Sequence, residues 1–209
     1  MSPNTVPPYW RKACQSLARN DRTLKGLIEE FQEVRLRSRG SAFETLLRAI
    51  VGQQISVKAA QAVWNRLENQ LERVSVPRVL AQSSEDLRAC GLSRQKVAYI
   101  LDLAQRFDSK EINPRRFKSL DDTTLINTLC NVKGIGQWTA EMFLIFHLQR
   151  PDIYPLQDIG LIRAVERHYL GGAPGTKADI AAIGERWRPW RTVATWYLWR
   201  SLDPFPVEY

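Results

Sequence analysis

Between two apolar stretches of helical periodicity the chain reads Val132-Lys133-Gly134-Ile135-Gly136-Gln137-Trp138-Thr139-Ala140. Two glycines bracketing one apolar residue suit a tight hairpin whose backbone N–H groups face outward. Glycine reaches positive φ without strain and has no Cβ to block a closely approaching partner. The helix beginning near Gln137 adds its own unpaired N–H groups and the positive end of its dipole. Together they offer anion binding of the kind a DNA phosphate needs. Gly-Ile-Gly alone also reads as a plain turn between packed helices. The basic chain, Lys133 beside the tip and the Trp138-Thr139-Ala140 opening of the next helix favour the anion site.

Other chemistries find little support. His147 and His168 are the only histidines, which argues against His-based metal sites or triads. Cys14, Cys90 and Cys130 are odd in number, far apart and without a CxxC pair. That pattern suits reduced thiols rather than a disulfide framework or zinc. The formal charge of +8 over 209 residues points to a polyanionic partner, nucleic acid or an anionic membrane surface. No apolar run approaches the ~18 residues of a membrane span. The opening MSPNTVPPYWRKAC has no apolar signal core. The expectation is a soluble intracellular protein with no membrane partner.

The elements that must position the hairpin are helical nearly throughout. Ser41 and Glu44 have capping-box spacing before FETLLRAIV, which stops near Gly52. A second helix starts from Ser56, with Ala60, Val63, Trp64 and Leu67 at helical spacing. Ser83 or Ser84 caps EDLRAC, which Gly91 stops. SRQKVAYILDLAQRF sets Val97, Ile100, Leu101 and Ala104 on one face. DDTTLINTLC enters the hairpin and QWTAEMFLIFHL leaves it. Asp158 opens IGLIRAVERHYL, which ends at Gly171-Gly172; Thr176 and Asp179 form another capping box, and a last helix follows Pro189. LRACGLSRQKVAYI repeats the hairpin plan in degenerate form, with Ser93 at the second glycine position. No alternating strand is found. The Pro-rich residues 1–8 are expected to be mobile.

Five segments, in order, resemble the helix–hairpin–helix DNA glycosylases. They are the hairpin VKGIGQWTA, AIVGQQISVKAA from Ala49, GLSRQK from Gly91, YPLQDIGL from Tyr154 and ERWRPWR from Glu185. The last resembles the signature of the 3-methyladenine DNA glycosylase II branch. The likeness runs from about Tyr9 to Leu202. It implies an all-α fold of two helical subdomains flanking a cleft, roughly 46–150 and 9–45 with 151–209. Larger members carry an extra N-terminal β-rich domain, for which this chain is too short.

The resemblance also implies a chemistry. Removing a base breaks the C1′–N bond and builds positive charge on the sugar, which a fixed carboxylate stabilises. Asp158 matches that carboxylate, although an aspartate before a helix also reads as an N-cap. Members that cut the backbone carry a lysine where this chain has Trp138, so a monofunctional enzyme leaving an abasic site is expected. No cysteine follows Cys130, which excludes the iron–sulfur branch. No organic cofactor is expected. The resemblance suggests Na+ or K+ at the hairpin, on the backbone carbonyls of Cys130, Val132 and Ile135.

The flipped base needs a pocket. Trp138, Trp190, Trp187 and Met142 are its candidates, Met142 standing where many relatives have tyrosine; Trp196 and Trp199 read as core. Alkylated purines such as 3-methyladenine and 7-methylguanine are cationic and are attracted to an indole face. DNA contacts fall to Lys133, Gly134, Ile135, Gly136, Gln137 and Thr139, and Gln53 or Gln54 fills the gap left by the base. The expected partner is damaged double-stranded DNA, met by a monomer in the bacterial cytoplasm or the eukaryotic nucleus. The alternatives are a glycosylase for an uncharged lesion such as hypoxanthine, and a non-catalytic hairpin DNA-binding protein. A retained Asp158 and a Trp-rich C-terminus argue against the second.

Overall fold

The computed structural model describes residues 6–32, 36 and 40–203. Of the expected mobile N-terminus, residues 1–5 lie outside the described residues. The helices are α1 (Trp10–Asn20), α2 (Arg22–Glu30), α3 (Ala42–Gly52), α4 (Val57–Leu71), α5 (Val76–Leu80), α6 (Ser84–Ala89), α7 (Arg94–Asp108), α8 (Asp122–Cys130), α9 (Gln137–Phe146), α10 (Ile159–Tyr169), α11 (Lys177–Glu185) and α12 (Arg191–Leu202). A 3-10 turn spans Pro114–Ser119, and the described residues contain no strand. The fold is all-α.

Local chemistry sets the helix starts. Ser41, Ser56, Ser83, Ser93, Asp121, Asp158 and Thr176 each accept a backbone N–H from the third residue on. Each such cap contributes about 1 kcal/mol. Ser83 with Asp86 and Thr176 with Asp179 close full capping boxes. At Ser41 the hydroxyl takes the Glu44 N–H at 3.2 Å, while the Glu44 carboxyl lies against Gly40. α10 ends as expected: Gly171 and Gly172 take φ of 62° and 86°, and Gly172 N–H returns to the Glu166 carbonyl at 2.8 Å.

The chain divides into two compact units, one holding residues 40–143 and the other the described residues of 6–36 and 144–203. In the first, α7 packs against α3, α5 and α6. Its buried face is Val97, Ile100, Leu103 and Ala104; Leu101, expected on that face, is only half-buried, because Leu103 lies three residues from Ile100 and turns inward. Phe43, Leu46, Leu47 and Ile50 of α3 and Trp64, Leu67 and Leu71 of α4 complete this core with Leu125 and Leu129 of α8. Burying each large aliphatic side chain contributes about 1.5–3 kcal/mol.

In the other unit α12 is the central helix, packed by α1, α2 and α10. It is buried from Thr192 through Leu198, as a helix apolar on nearly every side must be. Its buried Thr192 hydroxyl is satisfied, donating to the Arg150 carbonyl at 2.6 Å and accepting Ile153 N–H at 2.9 Å. Asp21, buried at the head of α2, accepts from Leu24 N–H, Tyr169 Oη–H and Trp187 Nε1–H, each at 3.0 Å.

Candidate active site and nucleic-acid interface

The hairpin lies within the unit of residues 40–143. α8 ends at Cys130, Val132 N–H returns to the Leu129 carbonyl at 3.0 Å, and Ile135 N–H to the Val132 carbonyl at 3.1 Å. Val132 and Ile135 are buried, which pins the turn from inside. Lys133, Gly136, Gln137 and Trp138 are exposed, and Thr139 is half-buried. Ile135 therefore offers a ligand only its backbone.

The two glycines do different work. Gly134 has φ +81°, and a Cβ there would fall 2.1 Å from Tyr99 Cδ2 on α7. Gly136 has nothing within 4 Å of the corresponding position, so its missing side chain leaves open space. Lys133 also divides its groups. Its backbone N–H donates to Asp102 Oδ2 at 3.0 Å, and is thereby committed to the fold. Burial pushes the Asp102 carboxyl up, but the Lys133 amide and the Arg106 guanidinium outweigh it and hold the group below the usual carboxylate range.

Gln53 and Gln54, alike in sequence, part in the structure. Gln53 Nε2 donates to the Gly134 carbonyl at 2.8 Å, which fastens the end of α3 to the hairpin. Gln54 is exposed, with a left-handed φ of 58°. Beside it Ile55 and Val57 are exposed apolar residues. The degenerate second hairpin is a helix–turn–helix at Gly91, φ +95°; Arg66 lies across its tip and donates from Nε to the Cys90 carbonyl at 2.8 Å. Met142, on α9, is buried.

In the other unit, Asp158 is the N-cap of α10. Its Oδ1 accepts the Leu161 N–H at 2.7 Å and the indole Nε1–H of Trp199 at 2.8 Å. Trp199 in turn stacks on Phe146, centroids 5.8 Å apart and planes 8° from parallel. The carboxylate is thus held in one orientation by a backbone donor and a ring-locked side-chain donor. Gly160 makes room for this: a Cβ there would lie 3.1 Å from Asp158 Oδ1 and 3.3 Å from Trp199. Trp199, expected as core, instead turns its indole N–H to Asp158, a contact that sequence reasoning missed. Capping and orientation coexist at Asp158, since both bonds use Oδ1.

The Glu185–Arg191 segment serves several ends. Trp190 is half-buried and stacks on Tyr9, centroids 5.7 Å apart. Tyr9 donates its hydroxyl to the Gln149 carbonyl at 2.6 Å, and burial pushes its phenol well up. Trp187, expected in the base pocket, is instead core. It is 1% exposed, bonded to Asp21 and packed edge-on to Tyr154, so no face is left for a ligand. Arg188 and Arg191 both bind Asp152, which ties the segment down.

No group of three or more His, Cys, Asp or Glu side chains among the described residues could hold a metal ion. Backbone carbonyls at the hairpin are hard neutral donors, suited in kind to a monovalent cation. No helix among the described residues is long and apolar enough to cross a membrane.

The family model described as HhH-GPD superfamily base excision DNA repair protein matches residues 47–189. DNA-3-methyladenine glycosylase 1 of Schizosaccharomyces pombe is 33% identical over 88% of this chain and 83% of its own length. DNA-3-methyladenine glycosylase 2 of Escherichia coli is 30% identical over 80% of this chain and 60% of its own. A crystal structure of a DNA-3-methyladenine glycosidase from Bacillus halodurans superposes with a TM-score of 0.85 at 33% identity, covering 100% of this chain and 96% of that one. The S. pombe 3-methyladenine DNA glycosylase in complex with abasic DNA gives a TM-score of 0.74 at 30% identity, covering 94% and 100%. A family match across residues 47–189 takes in the α3 loop, the hairpin and Asp158 together, and the protein belongs to the HhH-GPD superfamily of base excision DNA repair proteins.

Proposed function

We propose that the protein flips alkylated purines out of duplex DNA and hydrolyses their N-glycosidic bond, leaving an abasic site. The observation that carries this is the Asp158 carboxylate, oriented by Leu161 N–H and Trp199 Nε1–H in a chain of a base-excision family. As the C1′–N bond lengthens, charge develops on the sugar, and a preorganised carboxylate stabilises it and orients the attacking water. Purines alkylated at N3 or N7 are cationic and leave readily. Exposed Trp138 offers its indole face to such a base, and Trp190 is the second pocket candidate. The backbone at exposed Gly136 and Gln137, with the Lys133 ammonium, binds phosphate, and Gln54 enters the gap. The backbone carbonyls of Cys130, Val132 and Ile135 would hold Na+ or K+, which would supply positive charge for a DNA phosphate. The protein acts as a monomer on damaged double-stranded DNA. With Trp138 in place of an amine, it leaves the backbone uncut.

A panel of duplexes tests the substrate class. Those carrying 3-methyladenine or 7-methylguanine should lose the base, and one carrying hypoxanthine should react at least tenfold more slowly. Faster release of hypoxanthine would reassign the enzyme to uncharged lesions.

Trp199 is a positioning residue for this reaction. Trp199→Phe keeps the stack on Phe146 and removes one hydrogen bond to a charged oxygen, an interaction of about 1.5–3 kcal/mol. The single-turnover excision rate should fall about 10- to 100-fold, the lower end if the carboxylate keeps its place. The affinity for lesion duplex should stay within about twofold. A change confined to affinity would remove Trp199 from the mechanism.

A further inference from the structure

The end of α3 carries an arrangement that phosphate binding and glycosidic chemistry do not use. The last carbonyls of a helix lack partners within it, and glycine or asparagine commonly takes the left-handed turn that follows. Here Gln54 takes that turn at φ 58°, a conformation disfavoured for a side chain of its kind. The compensating group comes from α7. Lys96 Nζ donates to the Val51 carbonyl and to the Gln53 carbonyl, each at 2.7 Å. The second of these carbonyls belongs to the peptide that leads into Gln54, so the ammonium fixes the plane on which the left-handed residue turns. Burial lowers the pKa of Lys96, as it does for an ammonium drawn from water towards carbonyl dipoles.

An ordinary helix-end lysine would stop there. Lys96 belongs to a series of contacts along α7 at successive turns. Tyr99 lies against Gly134, and Asp102 accepts the Lys133 N–H. Gln53, whose carbonyl Lys96 holds, sends its own amide to the Gly134 carbonyl. One helix therefore sets the loop that presents Gln54 and the hairpin that meets phosphate.

We propose that Lys96 is a positioning residue for base flipping: its ammonium clamps the Val51 and Gln53 carbonyls so that Gln54 is presented in one conformation, at a fixed offset from the hairpin. This rests on the reading of Gln54 as the residue that enters the gap. The clamp acts on flipping rather than on phosphate affinity or bond cleavage.

The test uses full-length protein and a duplex holding 2′-fluoro-7-methylguanine, which resists hydrolysis, beside 2-aminopurine. Unstacking on flipping raises the 2-aminopurine fluorescence. At saturating protein, Lys96→Met should reduce that rise at least fivefold while its affinity for undamaged duplex stays within threefold of wild type. Lys96→Arg, which keeps the charge and two donors, should retain at least half the rise. If Lys96→Met does not fold, Lys96→Gln carries the same expectation at this half-exposed position. A full rise in the Met or Gln variant overturns the proposal, as does an equal loss of affinity for undamaged duplex. A wild-type protein that excises methylpurines but gives the same rise with Gln54→Ala overturns the role of Gln54. A wild-type protein that neither flips nor excises overturns the proposed function itself.

Discussion

Asp158→Asn is expected to bind lesion-bearing duplex as wild type does and to lose base excision by about a thousandfold, the scale on which removing a preorganised electrostatic group acts. Asparagine is nearly isosteric and is itself a good N-cap, so the bond from Leu161 N–H survives and α10 keeps its start. The Trp199 indole still finds an oxygen acceptor. What disappears is the negative charge opposite the developing oxocarbenium. The effect therefore belongs in the chemical step, and single-turnover kinetics at saturating enzyme isolate it. A melting temperature within a few degrees of wild type would separate lost chemistry from lost fold. Excision within tenfold of wild type would return Asp158 to the plain helix cap that its sequence position also allows.

The second large effect separates the two hairpin glycines. Gly134→Val should destabilise the protein by about 3 kcal/mol or more, because a β-branched residue is forced to positive φ and into the Tyr99 ring. For a chain of this size that is roughly a 10 °C fall in melting temperature. At Gly136 an added Cβ would find nothing within 4 Å, so Gly136→Val should fold nearly as well. Its added methyls would instead fill the open space at the tip, where the proposed function has phosphate bind. Binding to damaged and undamaged duplexes should weaken alike, by tenfold or more, and the wild-type affinity should fall steeply with salt. Thermal melting and titrations on both duplexes check the pair. Equal melting temperatures for the two variants would contradict the assigned division of labour.

Much of this was legible in sequence because the signals are local. Caps at Ser41, Ser56, Ser83, Asp158 and Thr176 lie within three residues of what they cap, so helix starts could be read directly. The Gly-Ile-Gly turn is equally local. What escaped depends on contacts between residues far apart in the chain. Trp199 meets Asp158 across forty-one positions, and nothing in its own helix distinguishes it from Trp196, which is core. Gly160, the small residue two places after Asp158, was the available hint. Trp187 looked like a pocket residue by motif, but a buried acceptor at Asp21, distant in sequence, draws its indole inward. Gln53 and Gln54 could not be told apart until the Gly134 carbonyl and the left-handed turn assigned one to the fold and the other to the surface. Leu103 took the core place expected of Leu101 because one turn of helix permits either, and the neighbouring helices decide.

Hydrolytic base release through Asp158 is measured most directly by chromatography of what leaves a duplex containing one labelled 7-methylguanine. Wild-type protein should release free 7-methylguanine and leave a strand that breaks only after alkali, with no protein–DNA adduct trapped by borohydride, while Asp158→Asn releases about a thousandfold less in the same time. Free base released equally by both proteins, or a strand cut without alkali together with a trapped adduct, would contradict it.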